Sequence, residues 1–414
     1  MSERHFPVRP NLTQLRHQAK ELLRSIQAGE PTAIAELQTL HPKSPESSRA
    51  KLADAQLALA RSYGLPSWNR LVLACSMIDA IRENDVEAVR KMVLKQPKLL
   101  HENARGTEHC NWGPPMSYAA NVGSNEIVAM LHELGAEDIQ HAFIRACLQG
   151  KLDTARQLHK MGGRPLLGSV MGPCETLSGS GLSLLLELGA EFCDESGDKL
   201  APLGLILETY SRNPAGKHHC FQLIEEIVDF LPNTAPMAIH RGRIDLLEEL
   251  IRHDPNILSQ RFSHRQIFPL ELGCHEDKLL ALHGTPLDGT TLLHLCVDYD
   301  EIEIAEWLIS KGADVNAKAE FDSDGFGGHT ALFGCVVSQP HCANCRFDDA
   351  FARLLFDNGA DLSIRASLKK QLRFVEDETL HEYRNVTAWE WGKQFHDQDW
   401  VSPSVMQLIS SKLT

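Results

Sequence analysis

The chain has 414 residues, of which 43% are hydrophobic, 23% charged and 6% aromatic, and its net charge is −14. That length exceeds one ordinary core, so two or three domains or an elongated array is expected, and a text rich in Leu, Ala and Glu favours helices over a β-sandwich. The acidic balance, with no clustered basic stretch, excludes nucleic acid as a general partner and disfavours an anionic membrane surface.

No run reaches the ~18 apolar residues a bilayer span requires. The opening "MSERHFPVRPNLTQL" has no apolar segment of the kind that drives secretion. Eleven cysteines are scattered, mostly within apolar helical text (Cys75, Cys147, Cys296, Cys335), as reduced cysteine is when it serves as a small hydrophobe. A cytoplasmic protein is the expectation.

Residues 1–74 read as a small helical unit. Pro10-Asn11 opens a helix whose Leu12, Leu15, Ala19, Leu22, Leu23 and Ile26 share one face, and Gly29 and Pro31 end it. A second helix is expected over about 32–40 and a loop over "HPKSPESS" (41–48). An Ala/Leu-rich helix follows, with a stop at Gly64-Leu65-Pro66 and a Ser67 cap for the next helix.

From about residue 75 the text repeats. "GPPMSYAANVGSNEIVAMLHELGAE" (113–137) and "GTTLLHLCVDYDEIEIAEWLISKGADVNAK" (289–318) align so that Met116 matches Leu293, Ala119 matches Cys296 and Gly135-Ala136 matches Gly312-Ala313. Weaker copies occupy 78–93, 142–158, 237–255, 330–362 and 387–409. Each reads as a short helix, a tight turn and a second helix with an apolar stripe at i, i+3, i+4.

Thr291, Leu293, His294, Gly312, Ala313, Asp314 and Asn316 match the pattern of the ankyrin repeat, which the region 75–411 resembles over eight to ten repeats. The resemblance implies an all-α solenoid of helix-turn-helix units with finger loops, and a role in holding another protein. It also implies that His294 hydrogen-bonds a neighbouring turn. Residues 1–74, with "LADAQLALARSYGLPSW" (52–68), resemble the helical leader of many bacterial ankyrin-repeat proteins and would cap the open end of the stack. The expected domains are therefore 1–74 and 75–414.

Departures from the repeat are where function is sought. The long connections 101–115, 318–329 and 369–385 contain Trp, Phe and His, which argues against disorder. Four irregular stretches, "HCNWGPP", "MGPCETLSGSG", "RFSHRQIFPLELGCH" and "DGFGGH", would supply His109, Trp112, Glu175, His264, Arg265, Asp324, Phe326 and His329 to a pocket. With Glu320, the residues Trp112, Phe326 and Arg265 are the candidate anchors for a partner. The acidic charge favours a partner bearing a basic patch. The alternative is a small-molecule binder or metal-assisted enzyme using the same His and Glu residues for acid–base chemistry; a third reading is an assembly or regulatory subunit.

Other motifs fall away. Asp322 and Asp324 are spaced as in a calcium loop, but its twelfth position would be Ala331, where a bidentate Glu is required. Cys342 and Cys345 with His341 and His329 would make a zinc set only without the second Cys-x-x-Cys that such sites carry. A redox pair would want a βαβ setting, and "SGSG" (178–181) lacks a phosphate-loop lysine. His218-His219 cannot share a helical metal face and read as a solvated helix start. No cofactor and no metal are expected.

Overall fold

A computed structural model describes the whole chain except residues 1–3, 5, 108–110, 229, 277–282, 338–347, 373–376 and 414. The chain divides into two compact units, residues 1–165 and 166–414. Among the described residues the architecture is helical throughout, apart from one two-stranded hairpin.

The first unit begins with α1 (Leu12–Gln27), α2 (Pro31–Leu40) and α3 (Leu52–Ser62). Asn11 caps α1 by accepting the Gln14 N–H at 3.0 Å. Ile26, Leu37, Ala50, Ala55 and Ala58 close a small core, with Leu22, Leu23 and Leu40 on its flank. Three helix pairs follow: α4 (Trp68–Arg82) with α5 (Val86–Lys95), α6 (Pro115–Val122) with α7 (Asn125–Glu133), and α8 (Ile139–Leu148) with α9 (Leu152–Met161). Ser67 caps α4, which runs unbroken through residue 74. Tyr118 of α6 ties the leader to the repeats: its hydroxyl donates to the Val8 carbonyl at 3.0 Å and accepts from Arg82 Nε at 3.1 Å.

The second unit continues the pairing. Its helices are α10 (Met171–Glu175) with α11 (Gly179–Glu187), α12 (Ala201–Glu208) with α13 (Pro214–Glu225), and α14 (Ala235–His240) with α15 (Ile244–His253). A single turn, α16 (His264–Ile267), precedes α17 (Leu292–Tyr299) with α18 (Ile302–Ser310), and then α19 (Ala331–Val336) with α20 (Ala350–Asp357). Last come strands β1 (Ala366–Gln371) and β2 (Leu380–Val386), and the pair α21 (Ala388–Gln394) with α22 (Pro403–Leu413).

First helices stack on first helices within a unit, as α4 on α6 and α6 on α8, or α14 on α17, α17 on α19 and α19 on α21. Packed on both sides, α17 and α19 have no solvent face: all eight residues of α17 and all six of α19 are buried. That is why they are short and built from Leu, Ala and Cys. Second helices cover one side only and keep a polar face, α18 burying Ile304, Ala305 and Leu308. Gly312, at φ 100°, takes the left-handed turn that ends α18, a conformation that strains any residue with a Cβ.

The expected long loop at 369–385 is instead largely a β-hairpin. β1 and β2 pair antiparallel, Lys370 opposite His381, with an irregularity between Ala366 and Leu368. Burial alternates strictly along β1, but one inward position is Lys370, which breaks the apolar alternation that would mark a strand in sequence.

Candidate functional site

The finger at 318–329 is closed by its own hydrogen bonds. Asp322 Oδ1 accepts the N–H groups of Asp324 and Phe326, each at 2.9 Å, and the Ala319 N–H donates to the His329 carbonyl at 2.8 Å. The aspartates of the supposed calcium loop thus hold a turn, and Lys369 bridges them, 2.8 Å from Asp322 Oδ2 and 3.4 Å from Asp324 Oδ2.

Two staples fix the finger to its neighbours. The Glu320 N–H donates to the Gly289 carbonyl at 2.9 Å, and Gly327 and Ser367 exchange backbone hydrogen bonds at 2.7 and 3.0 Å. At Gly327, φ is 136° and a Cβ would lie 1.9 Å from the Glu320 carbonyl oxygen. Gly327→Ala is therefore expected to cost roughly 1–3 kcal/mol and to loosen the finger from β1. Hydrogen exchange at the Gly327 and Ser367 amides checks this; native-like protection in the variant contradicts it.

Between the finger, the turn at 286–289 and β1 lies a cleft of about 520 Å³, whose wall includes Asp288, Glu320, Phe321, Phe326, His329 and Lys369. Phe326 is 6% exposed, with the Arg384 guanidinium 4.1 Å and the Lys369 ammonium 4.8 Å from its ring centre. Phe321 is 60% exposed. His329 is buried; its Nε2 lies 3.0 Å from the Pro286 carbonyl, to which it can only donate. Burial pushes its pKa down to about 4, so the ring is neutral and Nδ1 carries a lone pair. Among the described residues no hydrogen-bond partner reaches that Nδ1.

His294 Nε2 donates to the His329 carbonyl at 3.1 Å, while its Nδ1 accepts from the Thr291 hydroxyl at 2.9 Å. This is the structural role its repeat position implies. It fixes where the finger leaves the stack.

The structure therefore brings together Phe326, His329 and Glu320, with Asp324 beside them. His264 stands behind the wall: its N–H donates to Asp288 Oδ1 at 2.6 Å, and its ring Nε2 to the His275 carbonyl at 2.9 Å. Arg265 is exposed and paired with Glu276. Glu175 holds a different loop, accepting from the Tyr210 hydroxyl at 3.0 Å and, through its carbonyl, from Thr209 and Ser211. Trp112 belongs to the first unit, packed 4.9 Å from Tyr118 beneath Arg145. His109, His341, Cys342 and Cys345 lie outside the described residues. Among those described, no cluster of three or more His, Cys, Asp or Glu is placed to hold a metal.

A second polar assembly is not legible in sequence. Asp298, in the last turn of α17, accepts from Arg212 at 3.0 Å, from His283 Nδ1 at 2.7 Å and from the Gly284 N–H at 2.9 Å. Burial alone would raise its pKa, but Arg212 and His283 hold the carboxyl well below the usual range. Nearby, Lys217 is 1% exposed, its ammonium nitrogen 2.9 Å from His240 Nδ1 and 3.6 Å from the centre of the Tyr299 ring. Burial, then the charge of Arg212, pushes the Lys217 pKa well down. His218, expected to be solvated, instead pairs with the buried Glu301 at 2.8 Å, because α13 turns it towards the start of α18. His219 packs on Gly179, where a Cβ would come within 2.5 Å of its ring.

Stacked helix pairs with tight turns and projecting fingers define a helical repeat protein, a class whose surfaces are built by repetition. Residues 288–320, the repeat containing α17 and α18, match the ankyrin repeat. The chain thus contains an ankyrin repeat, and ankyrin repeats are generally protein-interaction modules. No curated protein matches it. Among solved structures, the crystal structure of the human ASB11 ankyrin repeat domain is similar to 81% of this chain and covers 96% of its own, with 15% identity and a TM-score of 0.23. A likeness that loose carries nothing about residues or function. Among the described residues no helix is long and apolar enough to cross a membrane.

Proposed function

We propose that the chain is an interaction scaffold that binds a partner protein through the finger at 318–329 and the adjoining hairpin. The observation that carries this is the cleft itself, where a stapled finger sets an exposed phenylalanine, Phe321, beside the acidic Glu320 and Asp288. Large exposed aromatics beside a concavity are the usual anchors of an interface. The overall negative charge would speed the encounter with a basic surface and make association weaken with salt. The leader, on this reading, caps the first repeat.

Affinity capture from cells with the tagged full-length chain tests the reading. One partner is expected to be retained by the native chain, eluted by salt, and lost with Phe321→Ser, a substitution at an exposed position. Equal capture by the native and Phe321→Ser chains would contradict it.

A further inference from the structure

We propose that the free edge of the hairpin docks a second copy of this chain. Strand β2 pairs antiparallel with the second copy's β2, about a two-fold axis that sets Tyr383 opposite its own counterpart.

The backbone leaves that edge open. Gly327 and Ser367 exchange both backbone hydrogen bonds, so Ser367 faces the finger. Its neighbours along β1, Leu368 and Lys370, therefore face β2, where Tyr383 and His381 stand opposite them. The Asn385 N–H points to β1 as well, donating to Ser367 Oγ at 3.1 Å. By alternation the N–H and C=O groups of Glu382 and Arg384 face away from β1, and among the described residues nothing bonds them there. Such a row of open groups is a template for another strand. The edge is also held in place, since Tyr383, 6% exposed, packs on Trp391 and Phe395 with ring centres 4.8 and 5.9 Å away; little order is lost on pairing. This edge is separate from the docking face proposed above, because the finger is bonded to the opposite edge of β1.

The side chains say what fits. Charged residues on an edge normally repel a second strand. Here they differ in sign and stand symmetrically about Tyr383, Glu382 before it and Arg384 after it, each with about half of its side chain exposed. With Tyr383 opposite its counterpart, Glu382 meets the second copy's Arg384, and Arg384 meets the second copy's Glu382. These are the residues whose backbone groups face outward, so each pair exchanges both ladder hydrogen bonds and sets opposite charges side by side. Centring the pairing on Glu382 or on Arg384 would oppose like charges instead. Within one chain Arg384 already lies 3.1 Å from the Glu382 carboxylate and 4.1 Å from the centre of the Phe326 ring; the second copy brings a further carboxylate to this exposed pair. Asn385, at φ 52°, turns the strand aside after Arg384. The pairing is therefore short, and the dimer separates on dilution.

Sedimentation velocity of the full-length chain over a dilution series tests this. The native chain is expected to pass from monomer to dimer as concentration rises. Glu382→Arg sets arginine against arginine at two places across the axis, and Arg384→Glu sets glutamate against glutamate. Each is expected to raise the dissociation constant about tenfold or more. Mixed together, the two variants restore opposite charges at both places and are expected to associate more tightly than either does alone, a recovery that a misfolded variant would not give. A chain monomeric at every concentration, a dimer that either variant leaves at its native strength, or a mixture no tighter than its components would overturn the pairing.

Discussion

Asp298→Ala is expected to cost the second unit about 3–5 kcal/mol, the loss associated with orphaning one side of a buried ion pair. Arg212, His283 and the Gly284 N–H all converge on this carboxylate. Removing it takes this acceptor from a largely buried guanidinium and two further donors at the end of α17. Lys217→Met should behave differently, changing stability by about 1 kcal/mol or less in either direction. It replaces an amine whose charged form burial disfavours with an apolar chain of similar length, against the ring of Tyr299. Hydrogen exchange across Leu292–Tyr299 separates the two, and a global melt would blur them because the chain has two units. Native-like protection of α17 in Asp298→Ala would show that the network is not a stabilising hub.

Acid should weaken the finger end of the second unit well before general acid unfolding. His294, buried and beside His329, has its pKa lowered to about 3, and burial lowers that of His329 to about 4. An unfolded histidine titrates near 6.5. The native state binds these protons less readily than the unfolded chain, so their contribution is complete above pH 6.5 and is lost progressively as pH falls towards the native values. At pH 5 each histidine forfeits about 2 kcal/mol, together about 4 kcal/mol. Amide exchange in α17 and α19, compared at pH 7 and pH 5 after correction for intrinsic rates, reads this directly. His329→Phe should remove about half the pH dependence. A stability flat between pH 7 and 5 would mean that these rings are protonated in the native state.

Much of the fold is legible because repeat packing writes itself into residue type. Thr291 and His294 at a helix start, buried apolar residues along α17, and Gly312 after α18 each answer to one geometric demand. Caps at Asn11 and Ser67 are equally local. The hairpin is not legible, because β1 turns Lys370 inward and Leu380 of β2 outward, inverting the pattern that marks a strand. The cleft is half legible. Phe326, His329 and Glu320 belong to one irregular stretch, whereas Asp288 and Lys369 reach the same wall from residues tens of positions away in sequence. Buried polar groups such as Lys217, Asp298 and Glu301 look in sequence like ordinary surface charges, and only tertiary packing reveals that they answer one another. Glu175 and His264 have the residue types of acid–base chemistry and instead hold loops.

The most direct test of docking at the finger is site-specific photocrosslinking in cells. A benzophenone amino acid is placed at position 321 and, as a control, at Trp307 on α18, in otherwise native full-length chains. Crosslinked peptides are then sequenced by mass spectrometry. Position 321 is expected to capture one partner, and position 307 is expected not to capture it. Capture of that partner from position 307 with none from 321 would contradict docking at this face.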